Sequence, residues 1–118
     1  MSDVWNLEAF QLTRGLLGGV CAALPKEADA LGLHRAAARA TSQLAGSGTA
    51  PDPIRRAASL AAARASLAEL DELLRLAEQQ GQLPPELATA LEARRAAAAE
   101  ALDQLSSLTA AAAAVASS

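Results

Sequence analysis

Residues 52–81 read DPIRRAASLAAARASLAELDELLRLAEQQG, and this stretch decides the fold. Asp52 is a helix N-cap, Pro53 suits the first helical position, and Gly81 supplies the left-handed residue that ends a helix. Between them Leu60, Ala63, Leu67, Leu70, Leu74 and Ala77 alternate spacings of three and four, the seam of a helix packed lengthwise against others. The signals predict a helix over 53–80, about 28 residues and ~42 Å long at 1.5 Å per residue.

The flanks extend the pattern. Pro25, which lacks an N–H and restricts the residue before it, closes a first helix over about 4–24. A second runs over about 31–45 and fades at Gly46-Ser47-Gly48. A fourth opens at Pro84-Pro85-Glu86 and runs over about 85–108. The Ala110 to Ala114 tract is able to extend it, because alanine is the best helix former. The expectation is one all-α domain over 1–109 with four helices and an Ala/Ser-rich tail over 110–118.

Composition agrees. Of 118 residues 33 are Ala, 20 are Leu and only 9 are β-branched, which excludes most β architectures. With 52% hydrophobic and 19% charged residues the chain is globular rather than disordered. The 27 large apolar side chains leave a thin margin for a lone domain once chain entropy is subtracted, and the second helix is too short to cover the third. Both features favour self-association. The uncharged run Gln104 to Ser118 is 15 residues of mostly Ala and Ser, short of a membrane span. Asp3 and Glu8 stand where a signal peptide needs a basic start and an apolar run, so the expected compartment is the cytoplasm.

Most cofactor chemistry lacks its residues. A ferritin-type di-iron centre needs Glu-x-x-His pairs, and His34, the only histidine, has no Glu three residues before it. One Cys and one His make no zinc set, and no phosphate-binding Gly-rich loop precedes a helix. His34 reads as an exposed first-turn residue. Cys21, unable to form an intrachain disulfide, reads as a small hydrophobe on the apolar side of the first helix. The chain is expected to be non-enzymatic and to hold no cofactor.

Candidate contacts lie elsewhere. Gly15, Gly18 and Gly19 interrupt the first helix, each at roughly 0.8 to 1 kcal/mol relative to Ala, and mark either a close backbone approach to a neighbouring helix or a tolerated kink. Leu76 lies about 120° from Leu70 around its helix and is assigned to a second packing face or a subunit interface. Glu69 shares that side and is expected to pair with an Arg at a helix or subunit junction. In the fourth helix Leu87, Leu91, Ala98 and Leu105 cluster within about 40°, with Arg94 in the same stripe. An inward Arg94 is expected to be at least partly buried and paired with a carboxylate. Candidate nucleic-acid contacts are Arg35 and Arg39, one turn apart, with Arg55, Arg56 and Arg95. That signal is weak, because the net charge is −3 and only Trp5 and Phe10 are available to stack on bases.

The segment Arg64-Ala65-Ser66-Leu67-Ala68-Glu69-Leu70, followed by Leu73-Leu74-Arg75-Leu76-Ala77 and Gly81-Gln82-Leu83, resembles the third-helix signature of a bacterial family of four-helix bundle proteins. That family was first named from reading frames inside 23S rRNA intervening sequences. Val4-Trp5, Ala9, Leu12, Leu24-Pro25, Glu27 and Gly32-Leu33 resemble its first helix and following turn. In the second helix Arg35-Ala36-Ala37 or Arg39-Ala40, and Gln43-Leu44-Ala45-Gly46-Ser47, are partial counterparts of the family's pattern. The resemblance implies an antiparallel up-and-down bundle assembling into a homo-oligomer, in this family a pentameric ring. Relatives include the accessory subunit of diversity-generating retroelements, so the alternative it raises is a nucleic-acid-associated protein partnering RNA, DNA or a reverse transcriptase.

Overall fold

The computed structural model describes residues 3–117, with the side chains of residues 8–112, 114 and 115. The side chain of Trp5 and the last residue of the predicted tail lie outside the described residues. Four helices, α1 (Asp3–Ala23), α2 (Leu33–Gly48), α3 (Pro53–Gln79) and α4 (Pro85–Ser117), are joined by short connections, the first containing a single 3₁₀ turn at Lys26–Ala28. Each packs on two neighbours, α1 on α2 and α4, and α3 on α2 and α4. Cross-helix contacts run in opposite senses along partners: Arg39 meets Glu69 while Gln43 meets Ser66, and Gly19 meets Leu91 while Gly15 meets Arg94. The fold is an all-α, antiparallel up-and-down four-helix bundle.

Local chemistry sets the ends. Asp52 accepts the Arg55 amide at 2.8 Å with Pro53 in the first turn, as its sequence position predicts. At the other end of α3, Gly81 takes φ +76°, the Gln82 amide reaches the Ala77 carbonyl at 2.8 Å and the Gly81 amide the Glu78 carbonyl at 3.1 Å. This is a Schellman ending, and the buried Leu83 packs behind it. The α2 helix starts two residues later than the sequence predicts. Gly32 adopts φ +84°, and the Asp29 carboxylate accepts the amides of both Leu33 and His34 at 2.8 Å. It also runs on through Gly46-Ser47-Gly48, because Ser47 is buried and satisfies its hydroxyl on the Leu44 carbonyl at 2.6 Å. The Ala tract does extend α4, to Ser117.

All six predicted seam residues of α3 are buried, from Leu60 to Ala77. They share one core with Ala9, Leu16 and Val20 of α1, Leu33, Ala40 and Leu44 of α2, and Leu91, Ala98 and Leu102 of α4. The α4 stripe requires correction. Its buried row is Ala88, Leu91, Ala98, Leu102, Leu105 and Thr109, whereas Leu87 is 40% exposed. Arg95 occupies the gap between Leu91 and Ala98 at three- and four-residue spacing, with its side chain only 15% exposed. The seam therefore takes Arg95 inward and leaves Arg94 outside.

Candidate functional site

Arg94 is exposed, and among the described residues no carboxylate pairs with it. Its Nη1 donates a long hydrogen bond, 3.5 Å, to the Gly15 carbonyl. The expectation of a buried, carboxylate-paired Arg94 is thus overturned. At about 100° per residue Arg94 falls some 60° from Leu91, toward α1, and the facing stretch of α1 is glycine. The paired arginine is its neighbour. Arg95 donates Nε and Nη2 to the two carboxylate oxygens of Glu92, both at 2.7 Å, and lies 3.8 Å from Asp71 on α3. That bidentate hydrogen bond holds the Glu92 carboxyl below its ordinary value, against the opposing effect of burial, and raises the Arg95 guanidinium.

The glycines separate into two kinds. A Cβ on Gly19 would stand 2.7 Å from Arg94 Nη1 and 3.0 Å from Leu91 Cδ2, so two α4 side chains lie over this glycine and the contact is within the chain. Gly15 and Gly18 have nothing within 4 Å of an added Cβ and open onto solvent. Together α1 and α4 form an apolar groove in two adjoining hollows. One is floored by Gly19, Ala23, Ala90 and Leu91, the other by Leu12, Gly15, Ala93 and Ala97, and Arg94 borders both. Gly15, Gly19 and Arg94 thus share one surface.

Glu69 and Leu76 lie on another. Glu69 accepts an ion pair from Arg39 of α2 at 3.3 Å, the helix-junction pairing its position predicts. Leu76 is 40% exposed, outside the core as its angular offset requires. Both sit on the α2 side of α3, whereas Arg64 and Asp71 on its other side pair with Asp103 and Arg95 of α4.

The nucleic-acid candidates are dispersed. Arg39 and Arg95 are held in the pairs just described, and Arg55 pairs with Asp52 at 3.8 Å at the far end of α3. Arg35 is exposed at the start of α2, and Arg56 is half-buried near the start of α3. No shared basic face unites the five.

Two residues read as structural have a different setting. Cys21 is exposed rather than packed, and its Sγ lies 3.9 Å from Nδ1 of His34. His34 is half-buried, not exposed, and its Nε2 stands 2.7 Å from the Leu24 carbonyl. The contact joins residues 13 apart across a turn that periodicity does not register. Its only sequence signal is two reactive side chains flanking the Leu24-Pro25 break. Among the described residues no group of three or more His, Cys, Asp or Glu is placed to hold a metal ion. Among the described residues no helix is long and apolar enough to cross a membrane. The chain matches no protein-family model, and a search of curated proteins finds no match.

Proposed function

We propose that the chain is a non-enzymatic, cytoplasmic scaffold or binding module that acts as a homo-oligomer, five copies being the ring size the family resemblance implies. The observation that carries this reading is the α1–α4 groove, an apolar surface of mostly small residues with Leu12, Leu87 and Leu91, bordered by Arg94, which has no carboxylate partner among the described residues. Around the bundle α1 neighbours α2 and α4, and α3 neighbours the same two, so this groove lies opposite the α2–α3 side. That opposite side carries exposed Leu76 with exposed Glu72 one turn before it. A cation beside an apolar groove and an anion beside an exposed leucine are complementary. Contact between two different faces is heterologous, and it closes into a ring when the rotation relating neighbouring copies divides a full turn.

The test is solution mass by light scattering coupled to size exclusion, at low and high salt. The expected result is a mass near five chains, reduced toward one by Ala97→Glu in the groove and by Leu76→Glu on the opposite side. A wild-type monomer at all concentrations overturns the reading. Salt-sensitive binding of RNA or DNA would favour the accessory-protein alternative instead, although Arg39, Arg55 and Arg95 are already engaged by carboxylates.

A further inference from the structure

At the junction of α1 and α2 the chain's only cysteine meets its only histidine. The Leu24 carbonyl is one of the groups that a helix C-terminus leaves without an intrahelical donor, and the His34 ring satisfies it. A carbonyl only accepts, so at 2.7 Å His34 Nε2 must carry the hydrogen. In the neutral ring Nδ1 is then the free base, and it is the atom that faces Cys21 Sγ at 3.9 Å. A thiol beside a base whose orientation is set by a third group is the arrangement of an activated sulfur nucleophile.

The surroundings define what such a sulfur meets. Cys21 and His34 line an open groove with Lys26, Asp29 and Arg35. Asp29 commits both carboxylate oxygens to the amides of Leu33 and His34, at 2.8 Å each. Neither Lys26 nor Arg35 enters an ion pair among the described residues, and both are exposed. The groove therefore holds two uncommitted cations together with an exposed thiol, whereas its carboxylate already caps a helix. Its lining comes from α1, the turn after it and α2, whereas the other groove is lined by α1 and α4.

We propose that Cys21 is a thiol-exchange site that forms a mixed disulfide with a small disulfide bearing carboxylates. As Sγ attacks one sulfur of the incoming disulfide, its proton passes to His34 Nδ1. A new bond joins Sγ to that sulfur, the original S–S bond breaks, and the second sulfur leaves as a thiolate that recovers the proton from the imidazolium. The protein thiol is oxidised and the incoming disulfide reduced by the same electron pair. Lys26 and Arg35 hold the carboxylates during the attack.

The experiment uses the full chain, in which every thiol signal reports Cys21. Exchange rates are measured with the dicarboxylate dithiobis(nitrobenzoate), by release of its coloured thiolate, and with uncharged bis(hydroxyethyl) disulfide, by mass. His34→Gln, which keeps an N–H donor for the Leu24 carbonyl, is expected to slow both reactions by about tenfold or more, a lower bound on the ~10²–10⁴-fold typical of a general base. The double variant Lys26→Ala/Arg35→Ala is expected to slow only the dicarboxylate reaction, by about threefold or more. A His34→Gln rate within a factor of about two of wild type overturns the base role. An unchanged preference between the two disulfides in the double variant overturns the anion site. Should His34→Gln lose helical circular dichroism, the wild-type chain is compared folded and in urea. A folded thiol that reacts faster than the unfolded one supports the proposal, and one that reacts no faster overturns it.

Discussion

Replacing Arg95 by Ala removes the one guanidinium that the bundle seam has drawn inward. The Arg95 side chain is 15% exposed, so the two methylenes lost contribute about 1.4 kcal/mol at ~0.8 kcal/mol per buried methylene. Glu92 is 41% exposed, and solvent screening limits its ion pair to about 0.5–1 kcal/mol. Asp71 keeps Arg75 at 3.0 Å and is not orphaned, and Ala returns ~0.2 kcal/mol of helix propensity. The net loss is about 2 kcal/mol, or ~8 °C in Tm for a domain of this length. Glu92 titrates below its ordinary value because Arg95 hydrogen-bonds its carboxylate, so the unfolded chain binds the proton more readily. Stability from the pair is therefore complete above the unfolded glutamate value and is lost as pH falls through the folded one. The deficit of Arg95→Ala is expected to be full at neutral pH and smaller in acid. Urea unfolding followed by circular dichroism at both pH values measures it, with Arg94→Ala as the comparison, expected within ~0.5 kcal/mol of wild type. If Arg95→Ala costs no more than Arg94→Ala, the assignment of the seam arginine is wrong.

The same glycine-to-alanine change is expected to act with opposite sign at two positions. Gly81→Ala costs about 1 kcal/mol because φ is +76° there, whereas Gly18→Ala, in open helical backbone, adds ~0.8–1 kcal/mol to the folded chain, both read from denaturant midpoints. Asp29→Ala leaves two amides of the first turn of α2 uncapped and is expected to cost about 1–2 kcal/mol, with loss of hydrogen-exchange protection concentrated at Leu33 and His34.

Where local chemistry and periodicity agree, the sequence is a good guide. Asp52-Pro53 and Gly81 bracket α3 to within a residue, and its leucine seam is buried throughout. The α4 stripe misleads because alanine carries almost no angular information. Anchoring on Leu87 rotates the inferred face toward Arg94, whereas the buried row starts at Ala88 and admits Arg95, whose guanidinium finds Glu92 one turn back and Asp71 on α3. A short-range partner thus selects between two adjacent arginines that hydrophobicity ranks equally. The glycines show the same limit: whether Gly19 touches a neighbour and Gly18 does not depends on where α4 lies, and α4 is distant in sequence. The Cys21–His34 approach is less legible still, since it needs the left-handed Gly32 and the Asp29 cap to turn the His34 ring back onto the end of α1.

The uneven distribution of side-chain size also bears on assembly. Leucines dominate the buried seam of α3, so its inner face is spent within the chain. The α1–α4 side is mostly glycine and alanine, which bury little area per residue, with Leu12, Leu87 and Leu91 among them. Ile54, Leu76, Leu87 and Leu108 remain 40% exposed or more. A bundle with a leucine interior, a shallow small-residue groove on one side and a leucine protruding on the other has apolar area still to bury. In the homo-oligomer proposed above a second copy would cover both, with Arg94 at the groove and Glu72 beside Leu76 as the opposite charges.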